Sequence, residues 1–152
     1  ILVRWHQIER EAALGPGAPA IGGLVWVNRP VGVGRVDDFD TYRGGATLRI
    51  ADASVGAGDV LALAGERDLS SGCGFPAGAA DIRGPAVSWD GATIAFSART
   101  AAGPYRLYSV APDGSGCAPI AGVAPSTDTA AGITLHDFDP AFAAGVSPEE
   151  SQ

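Results

Sequence analysis

Lysine is missing from this 152-residue chain: all ten basic residues are arginine, set against 17 aspartates and glutamates for a net charge of −7. Nucleic-acid binding needs clustered cations to displace counterions, so this balance excludes it as a partner class. The arginines are scattered along the chain, and their exclusive use reads as a base-composition bias of the coding DNA rather than a cationic device. Cysteine is nearly absent too. Cys73 and Cys117 stand far apart and neither belongs to a Cys-x-x-Cys pair, which excludes zinc, iron–sulfur and haem-attachment spacings. No apolar run approaches the roughly 18 residues of a membrane-spanning helix. A basic-then-apolar secretion signal is also missing. The chain opens on Ile1 rather than Met, as a removed signal or a piece of a longer protein would, and the second is the favoured reading.

What is abundant is glycine and proline, 22 and 11 residues, spread between short apolar runs in a chain that is 46% hydrophobic and 18% charged. Such punctuation predicts a globular all-β fold of short strands and long loops rather than a disordered or helical one. The exception is the start. Leu2, Trp5, Ile8, Ala12 and Leu14 recur among charged residues and predict a short amphipathic helix over Ile1 to Leu14, stopped by Gly15-Pro16-Gly17. Residues 1–20 thus form a helical lead-in and linker, 21–145 a β-region, and 146–152 a tail. Leu24 to Val27, Ala46 to Ala51 and Asp59 to Ala64 are β-prone runs; Val31 to Gly45, Gly65 to Ala80 and Val123 to Leu135 read as loops.

The densest signal lies between Asp81 and Gly116. Strands are predicted near Ala86–Trp89, Thr93–Ala98, Arg106–Val110 and Cys117–Ala121, with Asp90-Gly91 and Pro112-Asp113-Gly114 at turns. Asp-Gly between apolar runs is a strong hairpin signal, because glycine readily accepts positive φ. The result is an antiparallel four-stranded meander. Pro85-Ala86-Val87 and Pro140-Ala141-Phe142 each follow an acidic lead-in and open an apolar run, a weak repeat 55 residues apart, which is a blade-like period stretched by loops.

The stretch from Gly84 to Phe96 (proline, apolar strand, Asp-Gly, then Ile-Ala-Phe) resembles the TolB-type β-propeller repeat, and Tyr105 to Gly114 resembles its third strand and turn. The wider arrangement is similar to the propeller of proteins related to the hydrazine synthase alpha subunit. The likeness lies in Leu24 to Pro30, Gly44 to Leu48, the Asp-x-Arg-x-Pro opening at Asp81 to Pro85, and the His-Asp-x-Asp-Pro element at His136 to Pro140. This resemblance covers about residues 24 to 145. It implies a partial propeller of antiparallel four-stranded blades, one complete and two partial, in an exported, periplasmic or secreted bacterial protein. Two features depart from the pattern: the run after Pro140 passes into Val146-Ser-Pro-Glu-Glu instead of Asp-Gly, and the Cys-x-x-Cys-His of haem-bearing members is missing. No haem ligand carries over.

Reactive constellations are few. Asp37, Asp38 and Asp40 offer three carboxylates to a cation such as Ca²⁺, but lack the glycine and late glutamate of an EF-hand, and a solvated acidic loop is the plainer reading. His136, Asp137 and Asp139 form a second polar knot whose acids suit turn amides as well as a metal. Cys73 and Cys117 fit either a disulfide in an exported protein or two half-buried thiols. Pro112 to Gly116 is a turn and not a nucleophile elbow, and Gly32-Val33-Gly34 is too short for a phosphate loop. Trp26 and Trp89 fall in β-runs, where cross-strand packing is expected. The residues therefore call for no catalytic group and no cofactor. The expected function is a non-catalytic scaffold, binding a protein or small ligand at propeller loops. The alternative is the propeller portion of a larger secreted redox enzyme or prolyl-oligopeptidase-like hydrolase, with its catalytic residues elsewhere.

Overall fold

A computed structural model describes residues 22–31, 41–55, 60–120, 127–128, 133–134 and 140–142. The helix expected over Ile1 to Leu14 lies outside them. The described chain is all-β, with one short 3-10 helix. Three strands, β1 (Gly23–Asn28), β2 (Thr47–Val55) and β3 (Leu61–Asp68), form a sheet in that order. Then come the 3-10 helix Ser70–Cys73 and a second sheet of β4 (Asp81–Val87), β5 (Ile94–Arg99), β6 (Arg106–Val110) and β7 (Ala118–Pro119), also in sequence order. Two-residue strands β8 (Thr127–Asp128) and β9 (Ile133–Thr134) pair within the segment expected to be a plain loop. Among the described residues no helix is long and apolar enough to cross a membrane.

By packing, the described residues fall into two compact units: residues 22–24 with Ile50–Arg67, and Val25–Arg49 with the residues from Asp68 onward. In the first unit Ala51 is buried, while β3 is exposed along nearly its whole length, Leu61 and Leu63 included. Gly65 sits inside β3 at φ +63, where a β-carbon would lie 3.1 Å from Asp52 Oδ2. The glycine therefore marks an irregularity within the strand rather than its end. This is why β3 runs on to Asp68, past the boundary that the glycine suggests in the sequence.

The second unit is organised around β5. Every residue of Ile94–Arg99 is buried, so the strand is covered on both faces, which its nearly unbroken run of small and apolar side chains permits. Its neighbours are antiparallel on both sides: Ile82 faces Ala98 and Val87 faces Ile94 from β4, while Tyr108 faces Phe96 and Val110 faces Ile94 from β6. Side chains opposite one another share a face, so Ile82, Ile94, Phe96, Ala98 and Tyr108 line one side. Phe96 stacks on Tyr108 at 5.7 Å between ring centroids, and Phe75 meets Tyr108 edge-on at 5.1 Å.

β4 starts at Asp81, well before the expected Ala86. A bulge between Arg83 and Ala86 carries the strand past Gly84 and Pro85. Pro85 has no amide proton to give to a ladder, so pairing is interrupted there and resumes at Ala86. The β4–β5 turn is longer than a two-residue hairpin. Ser88 N–H donates to Thr93 O and Gly91 N–H to Ser88 O, with Gly91 at φ +71. Asp90 braces this turn by accepting from the Ser88 hydroxyl at 2.6 Å and from Ala92 N–H at 3.0 Å. These hydrogen bonds, the Ser88 one foremost, hold its carboxyl below the usual aspartate range.

Because Phe96 is wholly buried at the centre of this unit, Phe96→Ala should cost about 3–5 kcal/mol of stability, read from the midpoint of urea unfolding with an unchanged slope.

Candidate functional site

Polar side chains gather on the other face of β4–β6. Asp81 faces Arg99 and Arg83 faces Ser97 across the β4–β5 ladder, and alternation puts all four on one side. Asp81 has no exposed surface, and Arg83 and Arg99 are buried. An isolated buried carboxylate is strongly disfavoured, so its surroundings must supply charge and donors. They do so on both oxygens. Oδ1 accepts from Arg29 Nη2 at 3.0 Å and has Arg83 Nε at 3.8 Å. Oδ2 accepts from Arg43 N–H at 3.1 Å, and from Arg99 Nε at 3.3 Å and Nη2 at 3.2 Å.

Two tyrosines complete the cluster. Tyr105, wholly buried just before β6, accepts from Arg83 Nε at 2.6 Å, and the Arg99 guanidinium lies 4.2 Å from its ring centroid. Burial first, then hydrogen bonding to Asp81 and that carboxylate's charge, push the Tyr105 phenol above its ordinary range; Arg83 and Arg99 oppose the shift. Tyr42 lies 5.8 Å from Arg99 by ring centroid, and its hydroxyl meets Ala79 O at 2.6 Å and Thr100 O at 3.1 Å. Beside it Gly44 is irreplaceable on steric grounds. A β-carbon there would stand 2.5 Å from Gly78 O. The end of the expected Val31–Gly45 loop is thus not an open binding loop but the cover laid over Asp81.

The geometry decides what Asp81 can do. Both oxygens are taken by protein donors and no solvent reaches them, so the carboxylate cannot take a proton from a substrate or ligate a cation as it stands. It is an electrostatic clamp. Arg29, Arg43, Arg83 and Arg99, dispersed in sequence, converge on it through three guanidiniums and one backbone amide. Four arginines that are scattered in the sequence thus meet in space, three of them through their side chains. The only local signal was Asp81-Ile82-Arg83, whose i, i+2 spacing puts both charges on one strand face. Ser97, on that face, carries the one buried side-chain polar atom among the described residues that lacks a hydrogen-bond partner.

Cys73 and Cys117 are joined as a disulfide with their Cα atoms 4.8 Å apart, tying the 3-10 helix to the residue before β7. Trp89 does not pack across strands. It stands in the β4–β5 turn with 82% of its surface exposed, and its indole N–H donates to Phe142 O at 3.2 Å. Trp26, in β1, is half-buried. Asp37, Asp38, Asp40, His136, Asp137 and Asp139 lie outside the described residues. Among the described ones no group of three or more His, Cys, Asp or Glu could hold a metal. Comparison with family models finds no match, and the same holds for curated proteins and for solved structures.

Asp81→Ala takes away the carboxylate that three guanidiniums share and should destabilise the chain by about 3–5 kcal/mol in denaturant titration. Arg29→Ala, whose side chain is 31% exposed, should cost far less, about 1 kcal/mol. The raised Tyr105 phenol sets a pH window. Its contribution is complete below the ordinary tyrosine range near pH 10 and is lost as pH rises through the folded value. Stability measured across alkaline pH should fall in that window, and less steeply in Tyr105→Phe.

Proposed function

We propose that the chain is a blade-bearing segment of a β-propeller, serving an exported bacterial protein as a non-catalytic scaffold that binds a protein or small ligand. The observation that carries this reading is the β4–β7 meander, a four-stranded antiparallel sheet in sequence order whose first residue is the clamped Asp81. In the TolB-like pattern that aspartate opens a blade, and here it receives Arg29 and Arg43 from the preceding segment. A blade buries its faces only against neighbours, so anchoring its leading edge to earlier residues suits a stacked architecture. The Trp89 indole N–H donates to Phe142 O, and this contact between the β4–β5 turn and the Pro140-Ala141-Phe142 run supports reading that run as the start of a following blade. The disulfide supports an oxidising compartment. With both oxygens of Asp81 occupied, the clamp supplies structure rather than chemistry.

Two measurements test the reading. The coding frame around this segment should contain further units of proline, apolar strand, Asp-Gly and apolar strand, at spacings of about 40–50 residues. Neighbouring sequence without them overturns the propeller. Thiol alkylation followed by mass spectrometry should find Cys73 and Cys117 protected in protein isolated from its native host; free thiols there would argue against export.

A further inference from the structure

At the end of the second sheet, the connection between β5 and β6 borders a hollow of about 330 Å³. Its wall is Thr100 to Pro104, and Ala98, Arg99, Arg106 and Tyr108 supply the rest. That volume is at the small end of ligand-sized cavities. The reason for the space is local. Ala98 is the cross-strand partner of Arg106, and a methyl group fills little of the room beside it. The loop itself is Thr-Ala-Ala-Gly-Pro, and nothing lies within 4 Å of where a Gly103 β-carbon would be.

The groups around this space have distinct states. Arg99 is committed: it bonds Asp81, and its Nη1 donates to Gly103 O at 3.0 Å, bracing the loop that forms the wall. Tyr108 is held by Phe96 and Phe75, so its ring is fixed. Arg106 is exposed, two residues from Tyr108 on the same strand face, and among the described residues its guanidinium has no ion-pair or hydrogen-bond partner. Among the described residues the lining contains no aspartate or glutamate. A guanidinium fork without a partner among the described residues, beside a fixed aromatic ring and small apolar walls, matches one ligand chemistry: a planar oxyanion carried on a compact apolar body.

We infer that the hollow binds a small organic carboxylate, with the Arg106 guanidinium as the anion-recognising group, the Tyr108 ring as a flank for the ligand's body, and Arg99 as the positioning residue that sets the wall. A guanidinium takes a carboxylate through two parallel N–H···O bonds, which orients the ligand as well as attracting it. The site lies outside every loop that the sequence nominates for binding. It does not depend on the propeller reading: losing this site leaves blade recurrence untouched, and the reverse also holds.

The test is a titration of the full chain with benzoate, followed by backbone amide NMR, with benzamide as a neutral analogue and inorganic phosphate as a competing anion. Saturable shifts confined to residues 98–108 are expected, with a Kd on the order of a millimolar for so small a ligand. Arg106→Gln should weaken binding by about tenfold or more with the rest of the spectrum unchanged, and Arg106→Lys should recover only part of it. Ala102→Trp, which keeps Arg106 but fills the hollow, should abolish the shifts. Absence of saturable shifts in the parent chain overturns the proposal. So does unchanged affinity in Arg106→Gln or Ala102→Trp, equal binding of benzamide, or phosphate binding as well as benzoate.

Discussion

Everything in the larger unit leans on one buried carboxylate. Asp81 has no water to solvate it, so it is tolerable only while Arg29, Arg83, Arg99 and the Arg43 amide remain in place. That requirement ties the residue after β1 and the segment before β2 to the facing ends of β4 and β5, which the ladder already joins to each other. Tyr105 and Tyr42 then pack against the same guanidiniums, which fixes the approach to β6 and the cover over the site. A hydrophobic pair could hold two surfaces together but would specify neither direction nor register. Hydrogen bonds to both oxygens of one carboxylate specify both.

The opposite face works by different physics. Phe96, Tyr108 and Phe75 supply contact area in fixed ring geometry, and Ile82 and Ile94 are sealed from water. The last strand is too short to hold itself. β7 contributes two residues, one of them Pro119 with no amide proton to donate, and pairs only with Tyr108 and Ser109. The Cys73–Cys117 bond supplies what the ladder lacks, pinning this end of the chain to the 3-10 helix beside Phe75. The two faces of a single sheet are thus maintained by unlike means, ionic on one side and aromatic with a covalent tie on the other.

Among the described residues β3 is the outer strand of its sheet, with the usual hazard of an edge, and its own sequence moderates it. Gly65 breaks the regular strand geometry, and Arg67 pairs with Asp52 at 3.5 Å, so the run Leu61–Ala64 passes directly into an irregular and charged stretch. Irregularity and charge of this kind discourage pairing with another chain. The strand is accordingly exposed without being a flat apolar template.

By itself the sequence determined the elements that local chemistry controls. The turns at Asp90-Gly91 and Pro112-Asp113-Gly114, the β5 run from Ile94, β6 over Arg106–Val110 and the antiparallel order of the meander were all legible, because turn residues and apolar alternation act within a few positions. Boundaries set by longer-range partners were not. β4 extends back to Asp81 only because Arg99 waits across the ladder, and β3 passes through Gly65 where a glycine normally signals a stop. The clamp left one local trace, Asp81 and Arg83 at alternate positions, which an expected strand start near Ala86 kept from being read. Its other members, Arg29, Arg43 and Arg99, looked like scattered charges. Only tertiary structure could assemble them, because the energy that holds a buried carboxylate depends on distances in space of about 3 Å, to which separation along the chain is blind.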